Sequence, residues 1–120
     1  TASPLALAAN SVTSIDFTNP VTATYGTNAQ KQVGTKMTMW CGEVTSDGTV
    51  RYVGVNNDRD PILVAIGGNV PTNTVANTYV GADVNMDGLV KYVGANNDRD
   101  PILQTVGGSV PTASRVQQLP

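Results

Sequence analysis

Oxygen-bearing side chains stand at every second position of Asp83-Val84-Asn85-Met86-Asp87, and Gly88 follows the third of them. A short loop with that spacing can wrap a hard cation. Calcium takes six to eight oxygens at ~2.3–2.6 Å from carboxylates, amides, backbone carbonyls and water. A loop that curls around it offers side chains from its first, third and fifth positions, turns sharply on a Gly at the sixth and gives a carbonyl at the seventh. Asp83, Asn85, Asp87, Gly88 and the carbonyl of Leu89 follow that order. Val90 stands where such loops carry the apolar residue that joins two loops through a short β-bridge. The twelfth position, which usually holds a bidentate acid, is Gly94. The simplest repair is an insertion, Gly94 to Asn97, that delays the last ligand to Asp98. Asp100 or an Asn could share the task. Asp98 is preferred because Ile102 and Leu103 then fall where the exit helix of the loop carries its core residues.

The chain contains this stretch twice. Residues 43–72 align without a gap to residues 83–112, with 20 of the 30 positions identical. The first copy offers Glu43, Thr45, Asp47, Gly48, the carbonyl of Thr49, and then Asp58 or Asp60. It is the weaker ligand set, because Thr45 replaces an Asn and Glu43 is longer than the favoured Asp. Of the nine acids in the chain, eight lie in these two copies. A sequence that is only 13% charged and gathers its carboxylates in this way needs negative oxygens there. The expectation is therefore two calcium sites, the second tighter than the first. Without the ion, each stretch would be a polar turn followed by an Asp-capped helix.

Composition removes several other kinds of chemistry. The chain has no His, so Ser–His and Cys–His catalysis and most zinc sites are excluded, and with the acids committed to metal no enzyme is expected. The net charge of −2 gives no attraction for nucleic acid. No apolar run approaches the ~20 residues of a membrane span. Cys41 is the only Cys, which rules out an intrachain disulfide. A lone Cys is expected to be a small buried hydrophobe, the alternatives being an intermolecular bridge or a reactive thiol. Thr1 is not an initiator and begins in mid-pattern, as in a mature or excised C-terminal piece of a longer precursor.

The elements that must position these oxygens follow from local pattern. Leu5 to Ala9, Val12 to Phe17 and Val21 to Tyr25 are apolar or β-branched and separated by turn formers, which predicts two or three strands, with Ile15 and Phe17 facing a core. Lys36 to Trp40 alternates and predicts a further strand, with Trp40 in the core rather than serving as a sugar platform. In each copy, Val50 to Val53 or Val90 to Val93 is extended. Asp58 or Asp60, and by repetition Asp98 or Asp100, then caps a helix with Pro61 or Pro101 in its first turn. A Gly-Gly pair ends each helix through a left-handed cap. Ile62, Leu63 and Ile66, and likewise Ile102, Leu103 and Val106, form the apolar stripes. Asn73 to Ala76 links the copies, and Thr78 to Val80 is predicted to re-enter as a strand. Val116 and Leu119 could pin the tail. Tyr52 and Tyr92 are expected to pack against the partner copy. Arg59 and Arg99, each between two acids, are expected to balance local charge, a clamp on the other copy's loop being the alternative. Two copies predict a pseudo-twofold pair rather than a solenoid.

The paired D-x-N-x-D-G loops with helix starts resemble dockerin modules, the calcium-binding duplicated-loop domains of cellulosomal proteins. The resemblance covers residues 43–112 and departs from the pattern at the twelfth position, in the insertion and in the short helices. A turn such as Tyr25-Gly26-Thr27, the segment Met39-Trp40-Cys41-Gly42, two copies of the NDRDPIL run and the end Arg115-Val116-Gln117-Gln118-Leu119-Pro120 together resemble C-terminal regions of large secreted proteins of Bacteroidota. That resemblance implies export to the cell surface or beyond, and says little about activity. The expected fold class is α+β, with short N-terminal strands (residues 1–42) followed by a duplicated calcium-loop and short-helix unit, dockerin-like, at residues 43–76 and 77–120, all in one compact domain. The expected role is an extracellular calcium-stabilised structural or assembly module, such as the subunit of a surface fibre that recruits copies of itself through strand pairing. The alternative is a dockerin-like module that anchors a secreted protein to a cell-surface receptor.

Overall fold

The computed structural model describes residues 1–117, so the expectation for Leu119 lies outside the described residues. It is a small α+β structure with two helices and three two-stranded antiparallel sheets. In chain order the elements are β1 (Lys31–Val33), β2 (Lys36–Thr38), β3 (Thr49–Arg51), α1 (Arg59–Ala65), β4 (Thr74–Ala76), β5 (Leu89–Lys91), α2 (Arg99–Thr105) and β6 (Ser114–Val116). The described residues fall into two units, 1–40 and 41–117.

The first unit corrects the sequence reading. Residues 5–25 contain no strand. Their polar side chains bond to nearby backbone and turn the chain instead. Asp16 Oδ1 accepts from the Thr18 amide and hydroxyl, Asn19 Oδ1 accepts from the Val21 amide, and the Ser11 hydroxyl donates to the Ala8 carbonyl. Ser, Thr, Asn and Asp compete with strand ladders in this way. The regular element is the β1–β2 hairpin, with Gln32 opposite Met37. Trp40 is half-buried and donates its indole N–H to the Asn28 carbonyl at 2.8 Å, with the Lys31 ammonium 5.8 Å from the ring centre. No residue of 1–40 is buried, and Phe17, expected in a core, is 45% exposed.

The second unit holds the core. Val50, Ile62, Ile66, Ala82, Val84, Val90, Ile102 and Val106 are buried together, with Leu63, Leu103, Tyr52 and Tyr92 packed against them. Both apolar stripes therefore point inward, as their spacing predicts. Ile62 and Ile102 are fully buried, and each contributes roughly 1.5–3 kcal/mol of transfer free energy. Gly42 reaches this core: with φ at +101°, a Cβ there would lie 3.1 Å from Ile102 Cα.

Both helices are seven residues long and end as expected on Gly-Gly. The Gly68 amide reaches back to the Leu63 carbonyl and the Gly108 amide to the Leu103 carbonyl, both at 2.8 Å. All four glycines have positive φ, as this Schellman ending requires. The starts differ from expectation. Asp58 and Asp98 make no side-chain cap bond. The capping groups are Asn57 and Asn97, whose Oδ1 atoms accept the Asp60 and Asp100 amides at 3.0 Å. Their Nδ2 atoms return a bond to the carboxylates of Asp60 and Asp100.

The pairing of the repeats also differs from a β-bridge between loops. β3 pairs with β6 and β4 with β5, so each loop's strand is matched by the strand that follows the other repeat's helix. Val75 lies opposite Val90, and Val50 opposite Arg115. This register moves the linker strand to Thr74–Ala76, ahead of the predicted Thr78–Val80. α1 lies against β5 and α2 against β3, giving the pseudo-twofold arrangement that a two-copy repeat suggests. No helix of the described residues is long and apolar enough to cross a membrane.

Candidate metal centre

The second loop is organised by its own side chains. Asp83 accepts the Asp87 amide on Oδ1 at 3.1 Å and the Gly88 amide on Oδ2 at 2.9 Å. Asn85 Oδ1 accepts the Asp87 amide and Asp87 Oδ1 accepts the Leu89 amide, both at 2.9 Å. The alternate residues thus fold the loop back on itself, with Met86 in the left-handed region at φ +61° and its side chain exposed. The first loop repeats the backbone, with Ser46 at φ +60°. Its contacts are sparser. Glu43 Oε1 accepts the Asp47 amide and the Thr45 hydroxyl, both at 3.1 Å. Asp47 Oδ1 accepts the Thr49 amide, and its other oxygen is held by the Arg51 guanidinium at 2.6 Å. In the second loop Lys91 replaces Arg51 and donates to the Ala95 carbonyl instead, leaving Asp87 without that cation. The two loops therefore differ in local charge: Asp47 is paired with a guanidinium and Asp87 is not held by the lysine at the equivalent position.

Asp58 and Asp98 occupy the centre of each repeat, both with 0% exposure. Asp98 Oδ1 accepts the Val84 and Asn85 amides at 2.8 and 3.2 Å, and Oδ2 accepts the Lys91 amide at 2.7 Å. Asp58 does the same with Val44, Thr45 and Arg51 at 2.7, 3.0 and 2.7 Å, and also takes the Thr45 hydroxyl. Each carboxylate ties the start of its loop to the strand that ends it. Asp60 and Asp100 are exposed instead. Asp100 lines an open cleft of about 420 Å³ with Asn85, Asp87, Asn96 and Asn97. Asp60 lines the equivalent cleft, of about 580 Å³, with Thr45, Asn56 and Asn57. The structure therefore separates the two candidates for the last ligand. Asp98 is the inner clamp behind the loop, and Asp100 shares a wall with Asn85 and Asp87. Leu89 and Thr49, whose carbonyls complete the sequence-based ligand sets, begin β5 and β3. Among the described residues no three Asp, Glu, His or Cys side chains form a ready-made metal cluster. A calcium loop draws part of its shell from amides and carbonyls, and Asn85 and Leu89 are such groups.

Electrostatics single out Asp98. Burial pushes its carboxyl above the ordinary carboxylate value, the amides of Lys91, Asn85 and Val84 pull it back, and the charge on Asp83 pushes it up again. Asp83 is itself buried, and neither carboxylate is in an ion pair among the described residues. This raised group contributes stability that is complete below its unfolded value near ~3.9 and is lost as pH rises through the folded value. Urea midpoints should therefore fall for the wild type, relative to Asp98→Asn, as pH rises from the unfolded value toward neutrality. A constant difference across that range would contradict the assignment.

One sequence expectation changes here. Cys41 is exposed, not buried, with its sulfur 3.8 Å from the Thr105 hydroxyl, which donates to the Cys41 carbonyl at 2.8 Å. Arg59 and Arg99 stack their guanidinium groups 5.2 and 5.1 Å from the ring centres of Tyr52 and Tyr92 in their own repeats. Arg59 also lies 4.0 Å from the Asp60 carboxylate, in line with the expected local charge balance, and among the described residues neither arginine forms an ion pair with an acid of the other repeat. Sequence reasoning missed Asn57 and Asn97 as the groups that hold the helix starts. The signal was present, since an Asn three residues before an Asp is a capping pair.

No protein-family model matches the chain, and neither a curated protein nor a solved structure gives a significant match.

Proposed function

We propose that residues 41–117 form a calcium-stabilised module, dockerin-like in its paired loops, that works outside the cell as a structural or assembly element. The observation that carries the reading is the pair Asp83 and Asp98, two buried carboxylates that are held by backbone amides and form no ion pair among the described residues. Buried charges are held by partners or by metals, and like charges at close range raise each other's cost. Calcium would supply the missing positive charge and draw on the oxygens already arrayed on Asp83, Asn85, Asp87 and Leu89. Asp100, which lines a cleft with Asn85 and Asp87, and the buried Asp98 are the further carboxylates. The donor set is all oxygen, which suits calcium rather than zinc or copper. In the first loop Glu43, Thr45, Asp47 and the Thr49 carbonyl, with Asp58 and Asp60, form the weaker equivalent.

The assembly reading rests on residues 1–40, which expose Leu7, Val12, Val21 and Met39 at 80–96% and have no core of their own. Such a segment suits pairing with another copy. Light scattering of the purified chain should give large particles with calcium and smaller ones in chelator. A strict monomer under both conditions would exclude the assembly role.

A second reading is supported by the two clefts at residues 45–65 and 85–104, which repeat the same helix start in both halves. Equivalent faces of this kind would let a dockerin-like module bind one receptor in either of two orientations. Capture of a single cell-surface protein by the calcium-loaded monomer would favour it.

A further inference from the structure

The two helix-start clefts share one wall and differ in the other. Asn56, Asn57, Asp60 and Pro61 of the first are repeated as Asn96, Asn97, Asp100 and Pro101 of the second. The first cleft is completed by Thr45, Val64 and Ala65, the second by Asn85, Asp87 and Gln104. Val64 is 71% exposed, and Val55, next to Asn56, is 86% exposed. The fold does not require a valine at either place, because Gln104 and Ala95 stand at the equivalent positions of the second repeat. An apolar wall left in solvent beside a polar twin marks a surface that another protein covers. Asp60 adds a charge to this cleft. Its Oδ2 takes the Asn57 amide group, its Oδ1 lies 4.0 Å from the Arg59 guanidinium, and its side chain is largely exposed.

One segment of the chain matches both features. Residues 1–40 carry two lysines and a single acid, whereas residues 41–117 carry eight acids and five cations, so the first unit of one copy attracts the second unit of another. Both lysines, Lys31 and Lys36, lie on the β1–β2 hairpin. Val33 stands opposite Lys36 at the end of the hairpin nearest its turn, and both are exposed. The Lys36 ammonium donates to the Thr18 hydroxyl at 3.2 Å and keeps further donors for a partner. The hairpin is the regular element of residues 1–40, so it is presented with little loss of conformational freedom.

We infer that the β1–β2 hairpin of one copy docks in the first-repeat cleft of the next copy, with Val33 against Val64 and Ala65 and Lys36 toward Asp60. The inference rests on the assembly reading and deepens it by naming the two surfaces that meet. The cleft, about 580 Å³, is large enough for the side chains at the hairpin's end. The contact joins two different surfaces, so it is heterologous. It extends from copy to copy as a ring or filament, where a twofold contact would close as a dimer. The second cleft, with Gln104 in place of Val64, takes no part.

The test is analytical sedimentation of the full chain at millimolar calcium, with melting curves to confirm that two variants are folded. Val64→Gln installs the residue that the second repeat already carries at this place. Val33→Glu sets a carboxylate across from Lys36, a favourable cross-strand pair within the hairpin, and against Asp60 in the contact. Each variant alone is expected to associate at least about 10-fold more weakly than the wild type. Mixed in equal amounts, the two should form a one-to-one complex that grows no further, because one supplies an intact hairpin and the other an intact cleft. A wild type that assembles, with association unchanged by Val64→Gln, would overturn the inference and leave the assembly reading standing. Weakened association of both variants with no complex on mixing would exclude the hairpin as the occupant of the cleft. A wild type that stays monomeric would remove the inference together with the assembly reading.

Discussion

Replacing Asp98 with Ala should unfold the second repeat and, through the exchanged strands, most of residues 41–117. The substitution strands three backbone amides, those of Val84, Asn85 and Lys91, in a site with no exposure to water. Each buried, unsatisfied donor costs ~1–3 kcal/mol, so the loss should be at least about 3 kcal/mol. Small domains have ~5–15 kcal/mol in total, and little stability would remain. Asp98→Asn is the informative partner variant. Its carbonyl oxygen can still accept the Val84 and Asn85 amides, but its NH₂ then faces the Lys91 amide, donor against donor. A smaller loss of about 1–3 kcal/mol is expected. Urea denaturation of the two variants checks the order. A loss below about 1 kcal/mol for Asp98→Ala would contradict the clamp. Asp58→Ala should behave alike, since its amide partners in the first repeat are equivalent.

Calcium should raise the melting temperature by an amount of similar consequence. A ligand that binds only the folded state stabilises it by RT ln(1 + [L]/Kd), ~2.7 kcal/mol at a hundredfold excess over Kd. For a unit of this size each kcal/mol moves the midpoint by ~4–8 °C, so a shift of about 10–20 °C is expected between saturating calcium and chelator. Asp83→Asn should remove most of that shift, because it takes a buried negative charge from the better loop. Magnesium should give much less, since it prefers rigid octahedral sites and keeps its waters. A melting curve that calcium leaves unmoved would contradict the account.

How much of this was legible in the sequence depends on the range of the interaction. The loops, the two helices with their Gly-Gly endings and the inward faces of Ile62, Leu63, Ile66, Ile102, Leu103 and Val106 are local features, and spacing alone finds them. The partner of a strand is not local. Nothing in Thr74-Val75-Ala76 says that it pairs with Leu89–Lys91 rather than with a strand of its own repeat. Asp98 was legible as an important carboxylate, but its engagement with three amides up to 14 residues away was not. The N-terminal strands failed for another reason. Residues 5–25 have β-branched composition, yet Asp16, Asn19 and Ser11 offer the backbone short-range bonds, and no buried surface rewards pairing. Cys41 is exposed because it lies at the start of the second unit, where Gly42 is the residue that enters the core.

The most direct test of the central claim is a calorimetric titration of the chelator-stripped chain with calcium at neutral pH. The expected result is saturable binding of one ion per loop, the tighter event abolished by Asp83→Asn and the weaker one reduced by Glu43→Gln. Absence of binding at millimolar calcium, with the chain shown to be folded, would contradict the account.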